Sequence, residues 1–568
     1  MQRRAGKGMA IAPPTGQYPS MRPSSEKTSR LNQRSFGVTN RIWVIVFVFL
    51  FLIAFTNYIL PPHHTPQPRF NYSTAGLKSK NYLNKTQVEK EPNPFAFCPV
   101  FGPGDEIGLK YGALTLSQSR LHLGSGGRVQ RVIHKALLGQ PVTISVLGGS
   151  VSACHGAGDD PISPYCYPSR FFQWWNSVFP HPASELTNGA VRRTNSAYFG
   201  FCNAHHLPDY TDLVILEFDV DDSPDRETVE NFELLVRSIL LREDQPAIVI
   251  LGHFSPQVHQ TSGFGGPDIW HNIVAQFYDV PHVSVKPHIY PQYIMKPTSI
   301  KKYFSDAVLA SSEGHEVMSD ILVSYFQSQI CLAWDIATGQ SYDSVPIVTV
   351  SDNEPHGLFG GVGQRKGVAP PTPNEDNDDL ADFGAVDAKK AAVAPLPVYP
   401  QLRVPSSLIN TRADDGRPFE EIEPFCASAN DLINPLPPSL FYGSGWFSYH
   451  PPMGSGQAEI LHYWYSTLAA SRLRIPITVG AGDIGVYYLK EPIVPGHGGE
   501  GSAVECWVDD NYAGAKVIEN GADIAESTPA LEIIDQYVAR GSHFVECSLL
   551  GEEGQGSAAF RIIGIFAT

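Results

Sequence analysis

Two short runs, residues 142–147 (VTISVL) and 213–218 (LVILEF), are apolar at most positions and end directly in glycines or acidic residues. A strand with one wet face alternates polar with apolar residues. Near-continuous runs instead fit strands buried on both faces, in a parallel sheet covered by helices. The segments between them agree. Residues 167–179 are aromatic-rich and read as a helix, and residues 227–242 carry Val229, Phe232, Leu235, Val236, Ile239 and Leu240 at helical spacing. Residues 247–251 and 282–285 read as further short strands. Residues 313–327 close the unit as a helix with Val317, Ile321, Leu322 and Tyr325 on one side. Residues 98–335 are therefore expected to form an α/β domain with a parallel sheet.

Beyond it, residues 336–405 hold repeated prolines and the acidic stretch from Glu375 to Asp379, and read as a mostly disordered linker, with a surface insertion as the alternative. Residues 406–568 change to short alternating strands and glycine turns, the pattern of a β-sandwich. Val504, Cys506 and Val508 face one way and Glu505, Trp507 and Asp509 the other, and Val545, Cys547 and Leu549 repeat the inward pattern. Cys506 and Cys547 are expected to pair, with two buried free cysteines as the alternative. Trp446, Trp464 and Trp507 read as core aromatics, with stacking on sugars as the alternative.

The start of the chain differs. Eight basic residues against Glu26 alone give residues 1–41 a charge of +7, so with −16 overall the rest carries −23. An acidic folded part argues against nucleic acid as a partner. Residues 42–60 form an apolar run long enough to cross a bilayer, and the basic excess before it places the tail in the cytosol. The expectation is a single-pass type II membrane protein with residues 61–97 as a stem and the folded part lumenal or extracellular, at the Golgi, the ER or the cell surface. Glycosylation sequons at Asn71 and Asn84, and eight cysteines all beyond the run, fit that orientation.

The most informative site signal is Gly148-Gly149-Ser150-Val151 after the first strand. A serine there sits at the carboxyl edge of the sheet, where open α/β folds bind ligands. Paired glycines admit a substrate to the backbone, and the following amide suits an oxyanion. No cofactor is expected, and no Cys/His spacing suggests a metal site.

The wider order of motifs resembles the SGNH (GDSL-like) hydrolase superfamily, in particular membrane-anchored eukaryotic members with an SGNH domain followed by a β-rich domain. The stretches that carry it are Gly148-Gly149-Ser150, Asn188-Gly189 through Ser196, residues 216–222, and Asp306 through Gly314-His315 and Asp320. The resemblance implies a three-layer α/β/α domain and a serine esterase acting on O-acylated glycans or glycoconjugates, as esterase or acyltransferase. It makes Ser150 the nucleophile and Asp306 the acid that orients a histidine. It also assigns Gly149, Val151, Asn188, Arg193 and Asp221 to the oxyanion and substrate positions. The departures are pointed. Leu309 stands where the family has its catalytic histidine, Ala310 replaces a proline, Asp221 replaces the oxyanion asparagine and Arg193 a glycine. A serine without a base is a poor nucleophile. His155, in the loop after Ser150, and His253, at the end of the strand 247–251, are the candidate substitutes, while His315 is expected to serve structure. The rival expectation is an inactive SGNH fold that binds glycan and assists cell-surface polysaccharide assembly.

Overall fold

Successive strand residues point to opposite faces, and in the sheet of this protein both faces are covered. The computed structural model describes residues 34–35, 38–59, 73–84, 93–340, 403–413, 419–429, 444–450, 462–480, 482–493, 501–552 and 556–568. The chain divides into two units, Met1–Asn71 and Tyr72–Thr568.

The first unit holds two-residue antiparallel strands and a helix over Asn40–Ile59. The expected span over residues 42–60 finds no support as such. Among the described residues no helix is long and apolar enough to cross a membrane, and the side chains of this helix are described only as far as Leu52. The sequon at Asn71 and most of the linker over 336–405 lie outside the described residues.

In the second unit, six strands form one sheet: β1 Arg120–His122, β2 Thr143–Gly148, β3 Glu185–Asn188, β4 Leu213–Glu217, β5 Ala247–Gly252 and β6 His282–Ser284. Their order is β1-β6-β5-β4-β2-β3, parallel except that β1 runs against β6. Ile144 and Val146, Leu213 and Ile215, and Val249 and Leu251 face one layer, which holds helix α1 (Gly127–Leu137), helix α2 (Tyr167–Val178) and the last helix of the sheet domain. Leu147, Val214, Leu216, Ile248 and Ile250 face the other, with helices α3 (Ser196–Cys202), α4 (Glu227–Leu240) and α5 (Pro267–Phe277). The last helix, α6, spans Ser312–Ala337. It runs past residue 327 because Ile330, Cys331, Ala333 and Trp334 continue its buried face. The disulfide Cys98–Cys331 ties it to the start of the domain.

The β-rich region forms two sheets. One contains Phe425–Ser428, Phe447–Tyr449, Tyr463–Leu468, Ile484–Pro492, Gly521–Ala522, Thr528–Asp535 and Gly556–Ala567. The other pairs Arg472–Val479, Gly541–Leu549, Ala503–Val508 and Lys516–Glu519. Between them lies a core that includes Ile484, Val486, Tyr488, Val504, Cys506, Val545, Cys547 and Ile562. Cys506 and Cys547 face each other across adjacent strands and form a disulfide. Trp446 and Trp464 are in this core. Trp507 is buried on the outer face, with the Arg472 guanidinium 5.6 Å and the Tyr512 ring 5.2 Å from it.

The seven-stranded sheet is covered on both sides. Ile484, Val486 and Tyr488 fill the sandwich, while Tyr487, Leu489, Ile563 and Phe566 pack into the α3–α4 layer of the parallel sheet. The disulfide Cys202–Cys426 crosses the same boundary. Residues 403–413 lie along α4, where the Arg237 guanidinium donates to the carbonyl of Pro405 and the amide of Ile409 donates to Glu233. The two folded regions therefore share one hydrophobic layer rather than hanging on a tether.

Candidate functional site

Strand order reverses beside β2: the chain passes from β2 to β3 on one side, then crosses to β4 on the other. Ligands of open α/β sheets bind in the crevice that such a switch opens at the carboxyl ends. Here Gly148 pairs with Glu217, so the segments beginning Gly149-Ser150 and Phe218-Asp219 leave the sheet side by side.

The glycines are required by close approach. A Cβ on Gly148 would lie 2.5 Å from the Glu217 carbonyl oxygen, and one on Gly149 would lie 2.0 Å from a carboxylate oxygen of Asp221. The chain then turns tightly, with amide bonds from Ala153 to Gly149 and from His155 to Ser150, and the disulfide Cys154–Cys166 fastens the turn to α2. Asn188 serves this turn: its Nδ2 donates to the carbonyls of Ser152 (2.8 Å) and Pro161 (2.9 Å). Val151 packs into the core beneath.

Ser150 is held from both sides. Its hydroxyl donates to Asp221 Oδ1 at 2.9 Å, and its amide donates to Asp221 Oδ2 at 2.8 Å. The Arg193 amide donates to Ser150 Oγ at 2.9 Å. Arg193 reaches this position with a φ of 54°, the left-handed region that a glycine would enter freely. Its guanidinium extends to the β-rich region and pairs with Glu526 at 2.8 Å. Nearby, the Tyr487 hydroxyl donates to Asn195 at 3.2 Å, so the second region closes one side of the crevice. Asp221 keeps some contact with solvent. Burial, opposed by its two bonds from Ser150, pushes its carboxyl up to about 7.

Neither candidate substitute base reaches Ser150. The His253 ring bonds the Val308 carbonyl through Nε2 at 3.3 Å, and burial holds it down to about 4. The His155 ring bonds Asp159 at 2.6 Å, a carboxylate that also receives Arg192. Asp306 orients no imidazole: its Oδ1 accepts the amides of Val308 and Leu309, each at 2.7 Å, and so caps its own turn. Leu309 packs into the sheet core. His315 is buried, and its Nδ1 accepts the Tyr167 amide at the start of α2. Ser150 thus bonds a carboxylate and an amide, and neither His155 nor His253 bonds its hydroxyl.

A histidine outside every motif holds the acidic loop. His271 on α5 bonds Asp219 through Nδ1 at 2.9 Å and Asp222 through Nε2 at 2.8 Å. With both ring nitrogens donating to carboxylates, the imidazole is charged. Burial works against that charge, but the two bonds prevail and raise its pKa to about 10. Asp222 also accepts the Ser196 amide, and Asp219 the His253 amide. Beneath them, Glu217 bonds the Ser152 hydroxyl at 3.0 Å. Burial first, then the charges of Asp219 and Asp221, drives its carboxyl far above the usual range. Among the described residues no group of three or more His, Cys, Asp or Glu is arranged to hold a metal ion.

No family model and no curated protein matches the sequence. Among solved structures, the chain is similar to a two-domain esterase (CEX) active on acetylated mannans and co-crystallised with mannopentaose. That pair is 17% identical with a TM-score of 0.50, over 80% of this chain and 97% of the other. A second structure of such an esterase gives the same identity and TM-score over 80% and 98%. A variant of Axe2, an acetyl xylan esterase from Geobacillus stearothermophilus, is 15% identical over 32% of this chain and 94% of its own, with a TM-score of 0.26. The likeness to the two-domain structures shows the fold, an α/β layer joined to a β-rich region.

Proposed function

We propose that this chain binds glycan at the rim beside Ser150 and does not cleave acyl esters there. The glycan part of the reading is supported by the fold shared with a mannan-directed esterase over nearly the whole of that chain. The absence of cleavage rests on one observation: Asp221 occupies both the hydroxyl and the amide of Ser150. In an acyl transfer the hydroxyl needs a base and the amide must receive the developing oxyanion. An oxyanion about 4 Å from a charged Asp221 meets a repulsion of about 4 kcal/mol at an effective dielectric of 20. That is about a thousandfold in rate for the charged form, which a carboxyl near 7 makes the dominant form only above neutral pH.

The experiment measures mannopentaose binding by calorimetry and acetate release from O-acetylated mannan, using the full-length chain and Ser150→Ala. The proposal predicts binding by both proteins and acetate release no faster than in buffer. Acetate release by wild type that disappears in Ser150→Ala would refute it. That outcome would favour a second reading, in which Asp221 is itself the base. The 2.9 Å bond to Ser150 Oγ and a carboxyl near 7 support this alternative. It requires activity to rise as pH passes upward through 7.

The proposal extends to the secretory route. Four disulfides, with no free cysteine among the described residues, suit an oxidising compartment. Treatment of the cell-derived protein with a glycosidase tests it: a mobility shift is expected, lost when Asn71 and Asn84 are both replaced by Gln.

A further inference from the structure

Three donors around Ser150 are already committed. The Ser150 amide and hydroxyl both donate to Asp221, and the Arg193 amide donates to Ser150 Oγ. What the rim still offers is acceptor capacity. A carboxylate has about four lone-pair sites, of which Ser150 uses two. Asp221 is half-buried as a residue, and a ligand seated on this rim would meet the remainder. It is also fixed in place: Asp222 next to it is clamped by His271 and by the Ser196 amide, and the loop cannot swing away without breaking both.

We infer that Asp221 selects glycans presenting a free hydroxyl at this position and rejects those acylated there, so that the chain reads deacylated rather than acylated sugar. A sugar hydroxyl donates to the carboxylate in a charge-assisted bond. An O-acetyl group has no proton to give, and its carbonyl oxygen would face the carboxylate of Asp221. An esterase of this fold needs the opposite polarity, since its crevice must receive the acyl carbonyl. A carboxylate at this position therefore favours a ligand that donates over one that accepts.

This inference rests on the glycan-binding reading, and the test separates the two. Calorimetry at pH 8 compares mannopentaose with chemically O-acetylated mannopentaose on the full-length chain and on Asp221→Asn. Wild type is expected to bind the free sugar about tenfold tighter or more, the usual scale for a hydrogen bond to a charged group. In Asp221→Asn the amide supplies a donor, and the preference is expected to shrink to within about threefold or to reverse. Equal affinities in wild type, a wild-type preference for the acetylated sugar, or a preference unchanged in the variant would each overturn the inference while leaving glycan binding intact. Failure of both sugars to bind wild type overturns the glycan reading and this inference with it. If the variant does not fold, the wild-type comparison alone carries the test.

Discussion

Asp221→Asn should stabilise the protein at alkaline pH and lose that advantage in acid. The carboxyl moves from an ordinary 3.8 to about 7 on folding. At about 1.4 kcal/mol for each tenfold change in proton affinity, that displacement penalises the charged form by roughly 4 kcal/mol. Asp221 retains solvent contact, which screens part of the penalty, so about 2 kcal/mol is the expected effect at pH 8. The sign follows from proton counting. Between the unfolded value near 4 and the folded value near 7 the folded chain holds the extra proton, so wild-type stability falls as pH rises through that window. Asparagine never charges and keeps both contacts, its oxygen accepting from the Ser150 amide and its Nδ2 donating to Ser150 Oγ. The assay is urea unfolding of both proteins at pH 4 and pH 8. The expected result is a higher midpoint for the variant at pH 8 that narrows or vanishes at pH 4, where other titrating groups cancel in the comparison. A difference independent of pH, or wild type the more stable at pH 8, refutes the reasoning that Asp221 is held in a site that resists its charge.

Three further outcomes follow from the same site. His271→Ala leaves Asp219 and Asp222 buried without their cation and is expected to cost about 3–5 kcal/mol, read as a lower unfolding midpoint. Because the His271 pKa rises from 6.5 to about 10 on folding, its contribution is complete below pH 6.5 and is lost as pH rises toward 10, a slope the variant lacks. Glu217→Gln should gain stability over wild type as pH rises, since burial disfavours the charged carboxylate that only Glu217 can form; a difference between the two midpoints that does not change with pH would contradict it. Replacing Cys202 and Cys426 together by Ser is expected to lower stability by about 2–5 kcal/mol. The two regions should nonetheless remain associated in gel filtration and limited proteolysis, because Tyr198, Tyr487 and Phe566 still pack between them.

How far the sequence revealed this site depends on whether a residue's role is local. The runs 142–147 and 213–218 are legible because strands buried on both faces are apolar throughout, and their ends bring Ser150 and Asp221 to one rim. Pairing of Cys506 with Cys547 is legible because alternation sets both on one face. Arg193 and Asp221 are visible as departures from a motif, yet their meaning is not. That the Arg193 amide turns toward Ser150 depends on a left-handed backbone, and that Asp221 caps the serine depends on the crossing of two loops. His271 was missed altogether. It sits mid-helix between Trp270 and Asn272 in no pattern, and its partners lie 49 and 52 residues earlier. The one signal for it was indirect: an acidic loop at a buried strand end requires a cation from somewhere. His155 follows Ser150 in its loop and His253 ends a strand at the same sheet edge, but the first ring bonds Asp159 and the second the Val308 carbonyl.

The central claim is that Ser150 is restrained by a carboxylate and has no histidine base. Mass spectrometry of the full-length protein after exposure to a serine-directed fluorophosphonate at pH 7 addresses it most directly. The account predicts an unmodified Ser150 peptide under conditions that fully label a known serine esterase. Stoichiometric modification of Ser150 would contradict it.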